Sequence, residues 1–151
     1  MFTENEQAVL VEAATILKNK LTQISDKAIL ESPQAVRDYC RFSLVHHERE
    51  VFGVLLLDNA HRLIDTCELF YGSVSSADVH PREVVKLALS QNASAVIFYH
   101  NHPSHTKEPS GADRHITRRL TDALALIEVR VLDHFVVTVS GCTSFAECGW
   151  I

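Results

Sequence analysis

Apolar residues recur at helical spacing in four stretches of the chain and as extended runs in four others. In residues 3–20, TENEQAVLVEAATILKNK, Thr3 and Glu6 stand in capping-box spacing, and Val9, Leu10, Ala13, Ile16 and Leu17 share one face, which predicts a helix. A second helix starts after ESP with Pro33 in its first turn and carries Val36, Tyr39, Cys40 and Leu44. EVFGVLLLD and NAHRLIDTCELFYG flank DNAH, whose Asp and Asn favour a turn, so the pair reads as a hairpin. HPREVVKLALSQN begins a helix at Pro81, with Glu83 in the first turn and Val84, Val85, Ala88 and Leu89 on one side. ASAVIFYH is a short run suited to a strand buried on both faces. Ser110 can cap a helix through GADRHITRRLTDALALI, with Ile116, Leu120, Leu124 and Ile127 facing inward. EVRVLDHFVVTVSG alternates in part like a strand, and CTSFAECGWI closes the chain.

This order of helix, helix, strand, strand, helix, strand, helix, strand predicts an α/β (mixed α+β) fold in which helices flank a central mixed sheet. The 151 residues suit one domain, and 46% apolar with 22% charged residues can bury a core without disulfides. Cys40, Cys67, Cys142 and Cys148 form no C-x-x-C pair and the acidic start MFTENEQ is no signal peptide, so a reducing cytoplasm is expected. The run VLLL falls far short of the ~20 apolar residues that cross a bilayer, so no membrane partner is expected. A net charge of −5 is the wrong sign for binding nucleic acid mainly through its phosphates, which leaves only a local basic patch for DNA.

Chemistry concentrates in HNHPSHTKEPSGAD, residues 100–113. In an extended chain residues i and i+2 point to the same side, so His100 and His102 can aim both imidazoles at one point. Asp113, in the first turn of the next helix, can supply a third ligand. Two imidazoles and a carboxylate suit Zn²⁺ and leave a tetrahedral position for water, as catalytic zinc requires. The bland alternative is that the histidines end the strand while Ser110 and Asp113 merely cap the helix. The whole pattern H-x-H-x(7)-S-x(2)-D favours the metal.

HNHPS…PSGAD resembles the metal-binding JAMM motif of the JAB/MPN metalloprotease superfamily. More narrowly, residues from about 40 onward resemble RadC through EVFGVLLLDNAHRLI, ELFYGSVSSADVHPREVVKLAL, NASAVIFYHNHPS, EPSGAD, RVLDHFVV and SFAECGWI. The resemblance implies a cytidine-deaminase-like three-layer fold over residues 31–151, with residues 1–30 as an N-terminal helical extension. It implies zinc held by His100, His102 and Asp113, with Ser110 steadying the oxyanion of a tetrahedral intermediate. It also implies a glutamate as general base ahead of an apolar-x-Gly strand start, and Glu50 in EVFG fits; the other reading of Glu50 is a solvated charge at a helix-to-strand junction. The substrate class implied is a protein or peptide cleaved at an amide or isopeptide bond. An association with DNA repair comes with the family name. Longer RadC-like proteins carry a helix-hairpin-helix region of DNA-binding type, where this chain offers one clear helix and a second before the core. Position 105, glycine in the family's HNHPSG, is His105, which predicts a different loop path.

Other chemistries fail on spacing. HHERE lacks the second histidine of H-E-x-x-H, since that position is Val51, and no P-C-x-x-C, G-x-S-x-G or P-loop occurs. His80 reads as a helix-start residue in preference to a group orienting a ligand, and Asn101 should point away from its neighbouring histidines. Asp133 and His134 should face opposite sides of a strand, and Arg114, His115, Arg118 and Arg119 form a cationic helix face. Two functions remain: a zinc hydrolase, or a non-catalytic repair accessory or protein-binding module with a structural metal.

Overall fold

The computed structural model describes residues 1–23, 31–72, 78–103 and 108–151. Among these the elements run α1 (Glu4–Gln23), α2 (Pro33–Leu44), β1 (Val51–Leu57), β2 (Leu63–Tyr71), α3 (Pro81–Ser90), β3 (Ala95–Asn101), α4 (Gly111–Ala125), β4 (Arg130–Thr138) and β5 (Gly141–Ser144). The strands form one sheet in the order β2-β1-β3-β4-β5. β3 is antiparallel to β1 and parallel to β4. A parallel pair needs a long crossover, and α4 supplies it. β5, which the apolar pattern assigns to no strand, pairs antiparallel with β4 from Phe135↔Ser144 to Thr138↔Gly141.

Strand alternation sorts the core into two clusters. Phe52, Val54, Leu56, Val96 and Phe98 face Val84 and Ala88 of α3 and Leu120 and Leu124 of α4. Val51, Leu55, Leu57, Ala95, Ile97 and Tyr99 face Ala14 and Leu21 of α1 and Val36, Tyr39, Cys40 and Leu44 of α2. The result is the expected three-layer arrangement, with β1 and β3 buried along their whole length. Each fully buried Leu, Ile or Phe contributes roughly 1.5–3 kcal/mol by leaving water.

The expected hairpin is closed by Asp58, which accepts from the backbone N–H of Ala60 and Arg62, both at 2.9 Å, and from Arg62 Nε at 2.8 Å. Gly53 is required by a close approach: a Cβ there would lie 2.3 Å from Tyr99 Cζ on the paired strand.

The helix starts follow the sequence, since Thr3 and Glu6 form the reciprocal cap and Pro33 and Pro81 open α2 and α3. Two inward faces differ from expectation. In α1 the buried line runs through Ala14, Leu17 and Leu21, while Val9 and Ile16 are exposed, and in α3 Leu89 is exposed. Apolar residues occur on more than one side of both helices, and packing against α2 and the sheet selects among them. The expected junction between residues 1–30 and 31–151 borders residues 24–30, which lie outside the described residues. Among the described residues no helix is long and apolar enough to cross a membrane.

Candidate metal centre

β3 carries His100 to its end and His102 just beyond it, while Asp113 enters from the first turn of α4. His102 N–H donates to the Val137 carbonyl at 2.9 Å, so the chain stays extended past the strand and both imidazoles share a side. His100 Nε2 lies 3.0 Å from His102 Nε2 and 3.2 Å from Asp113 Oδ1, and His102 Nε2 lies 3.0 Å from Asp113 Oδ2. This is the cluster among the described residues able to hold a metal ion. Both histidines are buried. Burial alone would raise the Asp113 pKa, but contacts from His100 and His102 and the Ser110 N–H hold it far below the usual carboxylate range.

Ser110 meets Asp113 reciprocally. Ser110 N–H donates to Asp113 Oδ2 at 2.7 Å, and Ser110 Oγ accepts from Asp113 N–H at 3.1 Å. This capping box fixes the carboxylate that faces the histidines. The helix cap and the contact with His102 are therefore one geometry, with Oδ2 serving both.

A match along the sequence accompanies this geometry: a family model described as RadC-like JAB domain covers residues 30–150. The chain belongs to this family. Its relatives include a UPF0758 protein of Vibrio cholerae, 55% identical over 150 residues, covering 99% of this chain and 92% of that protein. UPF0758 proteins of Tolumonas auensis and Cellvibrio japonicus are 57% and 59% identical over 122 and 123 residues, 81% and 82% of this chain. The chain spans only 54% and 55% of those two proteins' lengths. Members of the JAB family often bind a metal, and the His-His-Asp cluster is where this member could do so.

Glu50 immediately precedes β1 and is half-buried. The β1–β3 pairing begins two residues after it, at Phe52↔His100. Asn101, turned away from the histidines as expected, anchors this segment. Its Oδ1 accepts from Val51 N–H at 2.7 Å, and its Nδ2 donates to the Arg49 carbonyl at 3.0 Å and the His47 carbonyl at 3.4 Å.

His134 reaches the centre as well, beyond what the sequence reading assigned to it. It faces the side opposite Asp133, as alternation requires, and its Nε2 meets His100 Nδ1 at 2.7 Å while its Nδ1 meets Thr117 Oγ1 at 2.6 Å. Burial and the neighbouring His100 push its pKa well below the ordinary value. Phe145 stacks on the ring at 4.6 Å, and Phe52 and Phe98 meet it edge-on. Asp133, on the other side, secures the turn that brings Phe145 there, accepting from Ser144 Oγ at 2.6 Å and Ala146 N–H at 3.0 Å. The signal in the sequence was the pair Asp133-His134 followed by Ser144-Phe145, but no spacing rule connects it to His100.

His80 is an exposed helix-start residue whose ring meets Phe70 edge-on. In the cationic face, Arg114 stacks over Trp150 at 4.4 Å, and His115, Arg118 and Arg119 are exposed. His105 lies outside the described residues.

Proposed function

We propose that the chain is a zinc-dependent hydrolase of amide or isopeptide bonds in a protein or peptide substrate. The observation that carries the reading is the convergence of His100 Nε2, His102 Nε2 and the Asp113 carboxylate, whose Oδ1 lies 3.2 Å from His100 and Oδ2 3.0 Å from His102, one atom from each residue lying within 4.8 Å of the others. Donors around a tetrahedral Zn²⁺ at the usual bond lengths stand about 3.3 Å apart, close to the spacing of the two imidazole nitrogens and of each imidazole from its nearer carboxylate oxygen. Three protein donors leave the fourth position to water or substrate, whereas a structural zinc site is closed by a fourth protein ligand. Zinc supplies a Lewis acid there, polarising a carbonyl and lowering the pKa of water towards neutrality.

The chain's own groups do the rest. A Glu50 carboxylate oxygen takes the proton of the attacking water and returns it to the leaving nitrogen. Asn101 holds the backbone on both sides of that glutamate. Ser110 Oγ accepts from Asp113 N–H and so keeps its own proton for the oxygen of the breaking carbonyl. Phe52, ring-stacked with His100 at 6.1 Å, excludes water from the apolar side.

Elemental analysis of the parent beside His102→Ala and Glu50→Gln, with a panel of peptide and lysine-isopeptide substrates, tests the reading. About one zinc per chain is expected in the parent and in Glu50→Gln, and little in His102→Ala. Glu50→Gln should lose on the order of 10²-fold or more in kcat. A parent that takes up no zinc after reconstitution sinks the proposal. Zinc retained without hydrolysis of any substrate favours a non-catalytic module with a structural metal.

A further inference from the structure

A chain of hydrogen bonds on the far side of the centre begins at one of the three clustered residues and ends at another. Thr117 Oγ1 lies 2.7 Å from the Asp113 carbonyl oxygen and 2.6 Å from His134 Nδ1, and His134 Nε2 lies 2.7 Å from His100 Nδ1. Thr117 and His134 are 2% and 0% exposed, which leaves each of these atoms to find its partner within the protein.

Proton counting fixes the direction of every link. A hydroxyl has one proton and a carbonyl only accepts, so the Thr117 proton points at Asp113; otherwise two oxygen lone pairs would meet at 2.7 Å. The Thr117 oxygen then accepts from His134, which places that ring's proton on Nδ1 and leaves Nε2 as an acceptor. His134 Nε2 is met by the proton on His100 Nδ1. Nδ1 being taken, any lone pair that His100 offers an ion lies on Nε2, the atom that faces His102 and Asp113. Neutral imidazole in water favours the opposite tautomer, and which nitrogen is bare in a protein is set by the bond the other one makes.

We infer that Thr117 and His134 are positioning residues that lock His100 in its Nδ1–H tautomer and so preset Nε2 as a ligand before any ion arrives. The lock spans α4 and β4, and because Thr117 also grips the carbonyl of Asp113, the two ligands His100 and Asp113 are set by one device. Its consequence for affinity rests on the zinc reading above; the tautomer itself does not.

Two-bond ¹H–¹⁵N correlation spectra of the imidazoles in chelator-treated protein read the lock without metal, and zinc titration at fixed pH reads its effect. In the parent, His100 and His134 should both be protonated at Nδ1. His134→Phe removes the acceptor, so His100 should move towards the Nε2–H form and the zinc Kd should rise about 10- to 100-fold. His134→Gln offers Oε1 as an acceptor and should restore the Nδ1–H form of His100. Thr117→Val, nearly equal in shape, should mix the tautomers of His134 and carries the test if His134→Phe does not fold. An Nε2–H form of His100 in the parent, or an unchanged tautomer in both His134→Phe and Thr117→Val, overturns the inference. The expected tautomers in a parent that binds no zinc support the lock and overturn the hydrolase proposal alone.

Discussion

Asn101 lies between two histidines that face Asp113, yet its own side chain serves the segment around Glu50. Replacing it by alanine leaves the buried Val51 N–H without its acceptor, which costs about 1–3 kcal/mol. If Glu50 is the base, Asn101→Ala should also lower kcat by tenfold or more while zinc content stays at the parent level; unchanged turnover with full zinc would detach Asn101 from catalysis. Three of the four cysteines fall at two extremes. Burial raises the Cys40 thiol strongly and pushes Cys142 up to about 12, whereas Cys148 is exposed. Iodoacetamide near neutral pH should therefore label Cys148 well before Cys40 and Cys142, as peptide mass mapping will report. The convergence of His100, His102 and Asp113 was legible because strand alternation and a helix N-terminus are local rules. The contact of His134 with His100 was not. β4 holds one extra residue opposite β3, with Val96 paired to Val131 but Ile97 to Asp133, and this bulge brings His134 beside Phe98. Without it Asp133 would take that place and His134 would face α1 and α2.

Among the elements, the central strand pair is the least tolerant. Gly53→Ala places a methyl group 2.3 Å from the buried Tyr99 ring, so the ring or one of the two strands must shift. A loss of about 1–3 kcal/mol is expected in urea denaturation, and wild-type stability would show that the ring moves freely. Ser110→Ala removes the α4 cap, at a cost of about 1 kcal/mol. At this scale the sequence was informative wherever a terminus carried its own signal, as at Thr3, Pro33, Pro81 and Ser110. It was weaker for α1 and α3, where apolar residues on several sides allow more than one inward face. It was silent on β5, whose pairing depends on the long-range partner Phe135.

At the scale of the molecule, acid should unfold the protein through carboxylates the fold holds ionised. The His47 hydrogen bond, opposed by burial, keeps Glu68 below its ordinary value, and the Arg62 backbone N–H does the same for Asp58. A carboxyl with a lower pKa in the folded state stabilises the fold above its unfolded value near 4, and that contribution disappears as pH falls through the folded value. Urea midpoints should therefore decline below about pH 4, and a flat profile down to about pH 2.5 would refute this.

The clustered His100, His102 and Asp113, with Thr117 and His134 behind them, all lie within residues 100–134, whereas Glu50 stands just ahead of β1, earlier in the chain. In a hydrolase of the proposed kind, holding an ion and using it would thus be encoded in separate stretches. Descent could then discard one and keep the other: a descendant of such a hydrolase altered only around position 50 would keep the carrier and lose the chemistry, and its intact loop motif would reveal nothing of the loss.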